Sequence, residues 1–147
     1  VTPNGTVVYV NDVLAYVWHA HGGNSFTIGI EIDGRFEGVE GNIRTLWGHT
    51  KGVTPTPFRE AQVLAARRAV RLAVEYGRAA GCEVTKLYAH RQFSNQRVSD
   101  PGSAIWSRIA VWARDELGLE TPLSYTKDTG KPIPTEWDPL GKTKYRG

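Results

Sequence analysis

Residues 56–81 read "TPFREAQVLAARRAVRLAVEYGRAAG" and form the longest helical pattern in the 147-residue chain. Thr56 is a favourable N-cap, and Pro57 suits the first helical position because no intrahelical bond needs its missing N–H. Gly81 is a suitable C′ residue, so we predict that the helix ends there. Small and apolar residues recur at helical spacing opposite an arginine-bearing face. They are Ala61, Leu64, Ala65, Ala69, Leu72 and Tyr76.

Segments on both sides of this helix alternate between apolar and polar residues, which is typical of β-strands. The clearest is "SFTIGIEID", residues 25–33, in which Ile28, Ile30 and Ile32 share one face by the period of two. The other candidates are "TVVYV" (6–10), "VLAYVWHA" (13–20) and "EVTKLYAH" (83–90). A second helix is predicted in "GSAIWSRIAVWARDELGLE" (102–120), where Gly118 stops the pattern. This order predicts a single α/β domain with a small mixed central β-sheet flanked by helices.

The composition is that of a globular protein, with 40% hydrophobic and 22% charged residues. The net charge of +3 weakly favours an anionic partner such as cell wall or nucleic acid. Such a surplus is more often a solvated surface, and we predict no nucleic-acid partner. The sequence contains no apolar run long enough to span a membrane.

His90 closes a predicted strand, and Asp100 directly precedes Pro101. Imidazole and carboxylate are zinc ligands, and a catalytic zinc usually keeps three protein ligands and a water. The spacing alone favours a structural histidine and a helix-capping aspartate, and capping and metal binding compete for the same carboxylate. Glu31 adds a carboxylate to a segment of β-branched residues and glycine. It is either an exposed residue or a general base beside a metal-bound water.

Three blocks together carry a resemblance to a known family: "WHAHGGNSFTIGIEIDG" (18–34), "TPFREAQVLAARRAV" (56–70) and "YAHRQFSNQRVSDPGSAIW" (88–106). They resemble the zinc-dependent N-acetylmuramoyl-L-alanine amidases, which share their fold with the peptidoglycan recognition proteins. The similarity runs from Val1 to Leu119. It implies an amidase-like catalytic domain over residues 1–119 and an irregular C-terminal extension over residues 120–147.

The activity implied by this resemblance is hydrolysis of the amide between N-acetylmuramic acid and the L-alanine of the stem peptide. The implied substrate is peptidoglycan or a muropeptide, and the implied cofactor is Zn²⁺. The implied site of action is the cell wall, the periplasm or the exterior of the cell. The resemblance assigns roles to seven residues, as metal ligands (His90, Asp100), as catalytic groups (Glu31, Arg97) and as substrate-binding groups (Trp18, His19, Asn24).

The chain departs from the family pattern in two ways. Many members have a lysine that stabilises the oxyanion where this chain has Val98, and Arg97 either takes that role or is a surface residue. The family's other metal histidine lies on an early strand, and this chain lacks methionine altogether. We therefore expect the chain to lack that N-terminal strand, with the ligand upstream of Val1, and we do not expect His19 or His21 to replace it. These departures motivate an alternative, a non-catalytic peptidoglycan-binding module on the same fold.

Overall fold

The computed structural model describes residues 1–49 and 52–141. Its longest helix, α1, spans Glu60–Ala79 and begins a few residues after the predicted Thr56 cap. Gly81 follows its C-cap with a φ of +79°, which confirms the predicted end. The buried face is rotated from the predicted one, because Ala61, Leu64 and Tyr76 are exposed. The buried residues of α1 are Gln62, Val63, Ala65, Ala66, Ala69, Val70 and Gly77.

The second helix is continuous but not uniform. It begins as Ser103–Ile105, widens into a π-turn over Trp106–Ala110, and continues as Val111–Leu117; we call the whole run α2. Gly118 ends it in the left-handed conformation, at a φ of +69°, as predicted. Short 3₁₀ turns occur at His21–Gly23, Ile43–Thr45, His90–Gln92 and Asn95–Arg97. No helix within the described ranges has the length and apolarity needed to cross a bilayer.

The predicted mixed central β-sheet is wrong. Within residues 1–49 and 52–141 the pairing is limited to isolated bridges, one antiparallel between Glu37 and Leu46 and one parallel between Lys86 and Glu120. The predicted strands at 6–10, 13–20, 25–33 and 83–90 carry no ladder. The described residues therefore form a helix-rich fold, not an α/β fold with a central sheet flanked by helices.

The sheet fails because alternation predicts which side chains face apolar surroundings, whereas a strand also needs a neighbour that completes its backbone hydrogen bonds. Near residues 25–33, the amino group of Val1 donates to Glu31 O at 2.6 Å and the Asp33 N–H donates to Val1 O at 2.9 Å. In residues 83–90, Leu87 N donates to Glu120 O at 2.9 Å. A cavity of about 1200 Å³ lies against both segments, in the place where the predicted sheet requires direct pairing.

The core is organised around α2, which contacts different partners on different faces. One cluster joins α2 to α1 and comprises Val63, Ala66, Val70, Ile105, Ile109, Ala113 and Leu119. The other joins α2 to the C-terminal part of the chain and comprises Ala89, Trp106, Ala110, Ile133 and Trp137. Both α1 and the C-terminal segment therefore contribute to burying the surface of α2.

The C-terminal segment, residues 120–141, is irregular but firmly packed. Asp138 is only 3% exposed, and its Oδ2 accepts hydrogen bonds from Arg114 Nη1 at 2.7 Å and Trp106 Nε1 at 3.3 Å. Burial on its own would lower the pKa of Arg114, but the hydrogen bond and charge of Asp138 raise it overall. Trp137 is 1% exposed and lies 6.4 Å from the Trp106 ring, centroid to centroid. The boundary at residue 119 stays a prediction, and residues 142–147 lie outside the described residues.

We predict that Asp138→Ala lowers the free energy of unfolding by about 3–5 kcal/mol, because it removes the buried partner of Arg114 and leaves this charge only its longer contact with the more exposed Asp115. Glu120→Ala is the control, since it breaks the exposed Lys86–Glu120 ion pair and is expected to cost less than about 1 kcal/mol. Urea unfolding measures both. Equal losses in the two variants would contradict the importance given to the buried pair.

Candidate metal and substrate site

His90 and Asp100 lie together at the two ends of one loop. His90 Nδ1 is 3.3 Å from Asp100 Oδ2, and both side chains are partly buried. The N-cap of α2 is Gly102, and no side chain caps this helix, so the capping interpretation of Asp100 is wrong. The carboxylate is directed to the histidine instead. The other ring nitrogen of His90, Nε2, is buried and has no hydrogen-bond partner in the described chain.

Arg91 closes the loop that brings these two residues together. Its backbone N–H donates to Asp100 O at 3.1 Å, and its guanidinium donates to Val98 O. The guanidinium lies over the Trp137 ring, with Cζ 4.9 Å from the ring centroid, and burial lowers its pKa. Arg91 could not be predicted from the sequence, because its role depends on Trp137, which is distant along the chain and has no recognisable spacing to it.

The C-terminal segment holds the same loop at a second place. Lys127 N donates to Gln92 O and Lys131 N donates to Arg91 O, each at 2.8 Å. The buried side chain of Gln92 also contacts this segment, and its Nε2 donates a hydrogen bond to Pro122 O at 2.7 Å. The turn that begins at His90 is therefore fixed by residues outside the three blocks that carry the family resemblance.

Asn24 organises the turn His21–Gly23. Its Oδ1 accepts hydrogen bonds from His19 N at 3.0 Å and Ala20 N at 2.7 Å. Asn24 is buried, and its Nδ2 has no partner within the described residues. Asn24, the predicted substrate-binding residue, thus stabilises this turn through Oδ1 and keeps an Nδ2 donor without a partner in the described residues.

His19 is held at both ring nitrogens. Its Nδ1 lies 2.9 Å from Val17 O and its Nε2 lies 2.7 Å from Thr27 Oγ1. The ring also packs closely on Gly29, where a Cβ atom would lie 2.9 Å from His19 Cδ2. His19 is therefore engaged in local structure, and its predicted role in substrate binding stays a prediction.

The cavity brings together most of the side chains to which the resemblance assigns roles. Its lining includes His19, Asn24, Glu31, His90, Arg97 and Asp100. It extends from these polar groups to the apolar faces of α1 and α2, through Ala66, Val70 and Ile109. Trp18 does not line the cavity; it is 85% exposed and packs edge-on against Tyr16 at 5.8 Å.

Glu31 and Arg97 differ in how they are held. Glu31 is exposed, and its carboxylate has no hydrogen-bond partner in the part of the chain that the structure describes. Arg97 is half-buried, with its Cζ 4.6 Å from the centroid of the Trp47 ring. The indole N–H of Trp47 donates to Gln96 O at 3.0 Å, which fixes the ring beneath the guanidinium. Arg97 is thus positioned by an aromatic support, whereas Glu31 is free to turn toward a ligand.

The His90–Asp100 pair fits two positions of a zinc site. Two ligand atoms bound to one tetrahedral zinc lie about 3.3 Å apart, given bond lengths of about 2.0–2.1 Å, and this is the observed separation. In residues 1–49 and 52–141, however, no three His, Cys, Asp or Glu side chains are arranged to hold a metal ion. The described residues therefore bring together two potential zinc ligands but not a third.

The profile of the N-acetylmuramoyl-L-alanine amidase family matches residues 1–103 of the chain. This match covers more than half of the 147 residues, and the chain belongs to that family. The predicted resemblance is confirmed, and the general function that membership supports is that of a peptidoglycan amidase, a hydrolase. Comparisons with curated proteins and with solved structures give no match.

We predict that Arg91→Ala lowers the free energy of unfolding by about 2–3 kcal/mol, since it removes a cation–π contact and a hydrogen bond from a charged donor. The amide at position 91 should also exchange faster with solvent, because its bond to Asp100 O opens more often. Arg68→Ala, on the exposed face of α1, is the control and should cost no more than about 0.5 kcal/mol. Unchanged exchange at position 91 in the Arg91 variant would contradict the loop-closing role.

Proposed function

We propose that the protein is a zinc-dependent N-acetylmuramoyl-L-alanine amidase that hydrolyses the amide between the lactyl group of N-acetylmuramic acid and the L-alanine of the stem peptide. The observation that supports this most is the close pairing of His90 and Asp100 on the lining of the cavity that also contains Glu31. Family membership supports the bond and the substrate class. His90 and Asp100 would hold the zinc.

Glu31 is the proposed general base. Its carboxylate accepts a proton as a water oxygen attacks the carbonyl carbon of the lactyl amide. The proton is then returned to the nitrogen of L-alanine as the C–N bond breaks, which leaves a lactyl carboxylate and a free amino terminus. When bound, zinc lowers the pKa of a water ligand and polarises the carbonyl. The exposure of Glu31 suits this role, because the side chain can reach a ligand in the cavity.

Arg97 is the proposed stabiliser of the charge that develops on the carbonyl oxygen. Its guanidinium presents several donors in a fixed plane, and Trp47 holds that plane from one side at 4.6 Å. Donors that are fixed before the reaction stabilise developing charge most effectively. Asn24 contributes its free Nδ2 donor to an acceptor of the substrate, and exposed Trp18 offers a ring face to glycan.

We predict that Glu31→Gln lowers the rate of amide hydrolysis by at least about 100-fold, because the amide cannot accept the proton. Purified peptidoglycan is incubated with the zinc-loaded chain, and new L-alanine amino termini are quantified by labelling and mass spectrometry. Glu75→Gln, an exposed substitution on α1, is the control and should retain the wild-type rate. No new L-alanine amino termini with the wild type, or equal numbers with both variants, would overturn the proposal.

A second candidate is a non-catalytic peptidoglycan-binding module. It is favoured by one observation, that the described residues contain no group of three metal-ligating side chains. Metal content separates the two candidates. Binding of muropeptide by protein that holds no zinc, in elemental analysis, would support the module, whereas one zinc per chain would support the amidase.

A further inference from the structure

We infer that Tyr16 and Trp18 form an aromatic platform at the edge of the cavity, and that this platform binds a sugar of the glycan chain outside the muramoyl unit whose amide is cleaved. The identity of the polymer rests on the proposed amidase function. Tyr16 is a residue to which the sequence assigned no role, and Trp18 gains a defined place along the glycan.

Both rings of the platform are unusually exposed for side chains of their size. Trp18 is 85% exposed and Tyr16 is 61% exposed. Large aromatic side chains are mostly buried, and exposed apolar surface gathered in one place marks a binding site. The indole N–H of Trp18 and the hydroxyl of Tyr16 have no hydrogen-bond partner among the described residues, whereas the indole of Trp47 donates to Gln96 O. The platform therefore has unused polar groups as well as unused apolar surface.

The two rings fix each other in one geometry. Their centroids lie 5.8 Å apart and their planes are at 86°, which is the edge-on arrangement that aromatic pairs prefer. Tyr16 thus supports Trp18 and leaves much of the indole open to solvent. An aromatic face packs against the C–H face of a pyranose, while the phenol and the indole N–H can meet hydroxyl and acetamido groups at its edge. The pair has the size and the mixed chemistry that suit one sugar ring.

The backbone that carries the platform is held on both sides. Before it, Asp12 Oδ1 accepts a hydrogen bond from Leu14 N at 2.8 Å. After it, His19 Nδ1 lies 2.9 Å from Val17 O, and Asn24 Oδ1 accepts from His19 N at 3.0 Å. His19 is therefore a positioning residue, because it holds the carbonyl group that lies between the two aromatic residues. A platform fixed before binding loses less conformational entropy when the ligand arrives.

The platform is continuous with the proposed active site. Tyr16 lines the cavity that also contains His90 and Asp100, whereas Trp18 lies outside that lining. The pair therefore extends from the edge of the cavity to the open surface. A polymer with one muramoyl unit in the cavity has to leave it across such an edge, so its neighbouring sugars meet exposed protein surface there.

The charge around the platform favours a neutral ligand. Residues 1–34 contain no Lys or Arg, and their acidic residues are Asp12, Glu31 and Asp33, although the whole chain has a net charge of +3. Phosphodiester polymers and anionic membranes are bound through Lys and Arg side chains, which this segment lacks. A glycan chain is neutral wherever its lactyl carboxyl groups are joined to stem peptides. The platform thus suits the glycan better than a nucleic acid or an anionic lipid surface.

The test uses a peptide-free probe, the β-1,4-linked tetramer of N-acetylglucosamine, with binding measured by isothermal titration calorimetry. Trp18→Ala is expected to weaken binding by about 10-fold, because the stacking face is lost, and Trp18→Phe should recover part of the affinity. Tyr16→Ala should weaken binding by about 3-fold or more, since the indole loses its support. Tyr9→Ala is the matched control: Tyr9 is exposed and packs edge-on against Tyr76, but it does not line the cavity, so its affinity should be that of the wild type.

A kinetic readout separates glycan binding from a structural effect. On glycan strands that carry stem peptides, Trp18→Ala should raise KM by about 10-fold with a much smaller change in kcat, because the platform binds the substrate and the transition state alike. The unfolding temperatures of Trp18→Ala and Tyr9→Ala should both stay close to that of the wild type, since each substitution is at an exposed position. A loss confined to kcat would overturn the inference.

The outcomes distinguish this inference from the proposed function. Wild-type tetramer affinity in Trp18→Ala or in Tyr16→Ala overturns the platform, and so does a wild-type chain that binds no tetramer. Self-association that is lost in Trp18→Ala, without tetramer binding, would assign the rings to a second copy of the chain and also overturn it. If new L-alanine amino termini appear but tetramer binding is independent of the platform, the amidase proposal stands and the inference fails. If tetramer binding depends on Trp18 but no new termini appear, the platform stands and the amidase proposal fails.

Discussion

The buried ion pair between Arg114 and Asp138 is the interaction on which the arrangement of the site depends. It fixes the C-terminal segment against α2, with Trp137 packed beside Trp106. A buried pair is costly to break, because removing either partner leaves an uncompensated charge in a medium of low dielectric constant. The segment is therefore part of the packed structure, even though it contains no long element of regular secondary structure.

The C-terminal segment held by this ion pair contacts the site directly. Trp137 supports the guanidinium of Arg91, and Arg91 ties the ends of the loop between His90 and Asp100. The same segment binds the turn His90–Gln92 through backbone hydrogen bonds and lies against the turn His21–Gly23. The positions of the proposed metal ligands are thus set by a part of the chain that holds none of them. Metal chemistry is sensitive to such support, because ligand orientation decides both affinity and selectivity.

The helices were predictable from the sequence because their signals are local. Gly81 and Gly118 mark the ends of α1 and α2 by adopting positive φ, which other residues resist. The sheet was not predictable, since strand pairing depends on a neighbour in space that the alternation of Ile28, Ile30 and Ile32 does not specify. The pairing of His90 and Asp100 was expected from the family resemblance, whereas their spacing alone favoured a helix-capping aspartate. Arg91 and Trp137 were missed because their contact joins distant parts of the chain.

The central proposal is that His90 and Asp100 hold a zinc ion at the cavity that also contains Glu31. Anomalous diffraction at the zinc absorption edge, on crystals of the zinc-loaded protein, tests it most directly. The account predicts one strong peak within bonding distance of His90 and Asp100. A zinc-loaded crystal with no peak at the pair would contradict it.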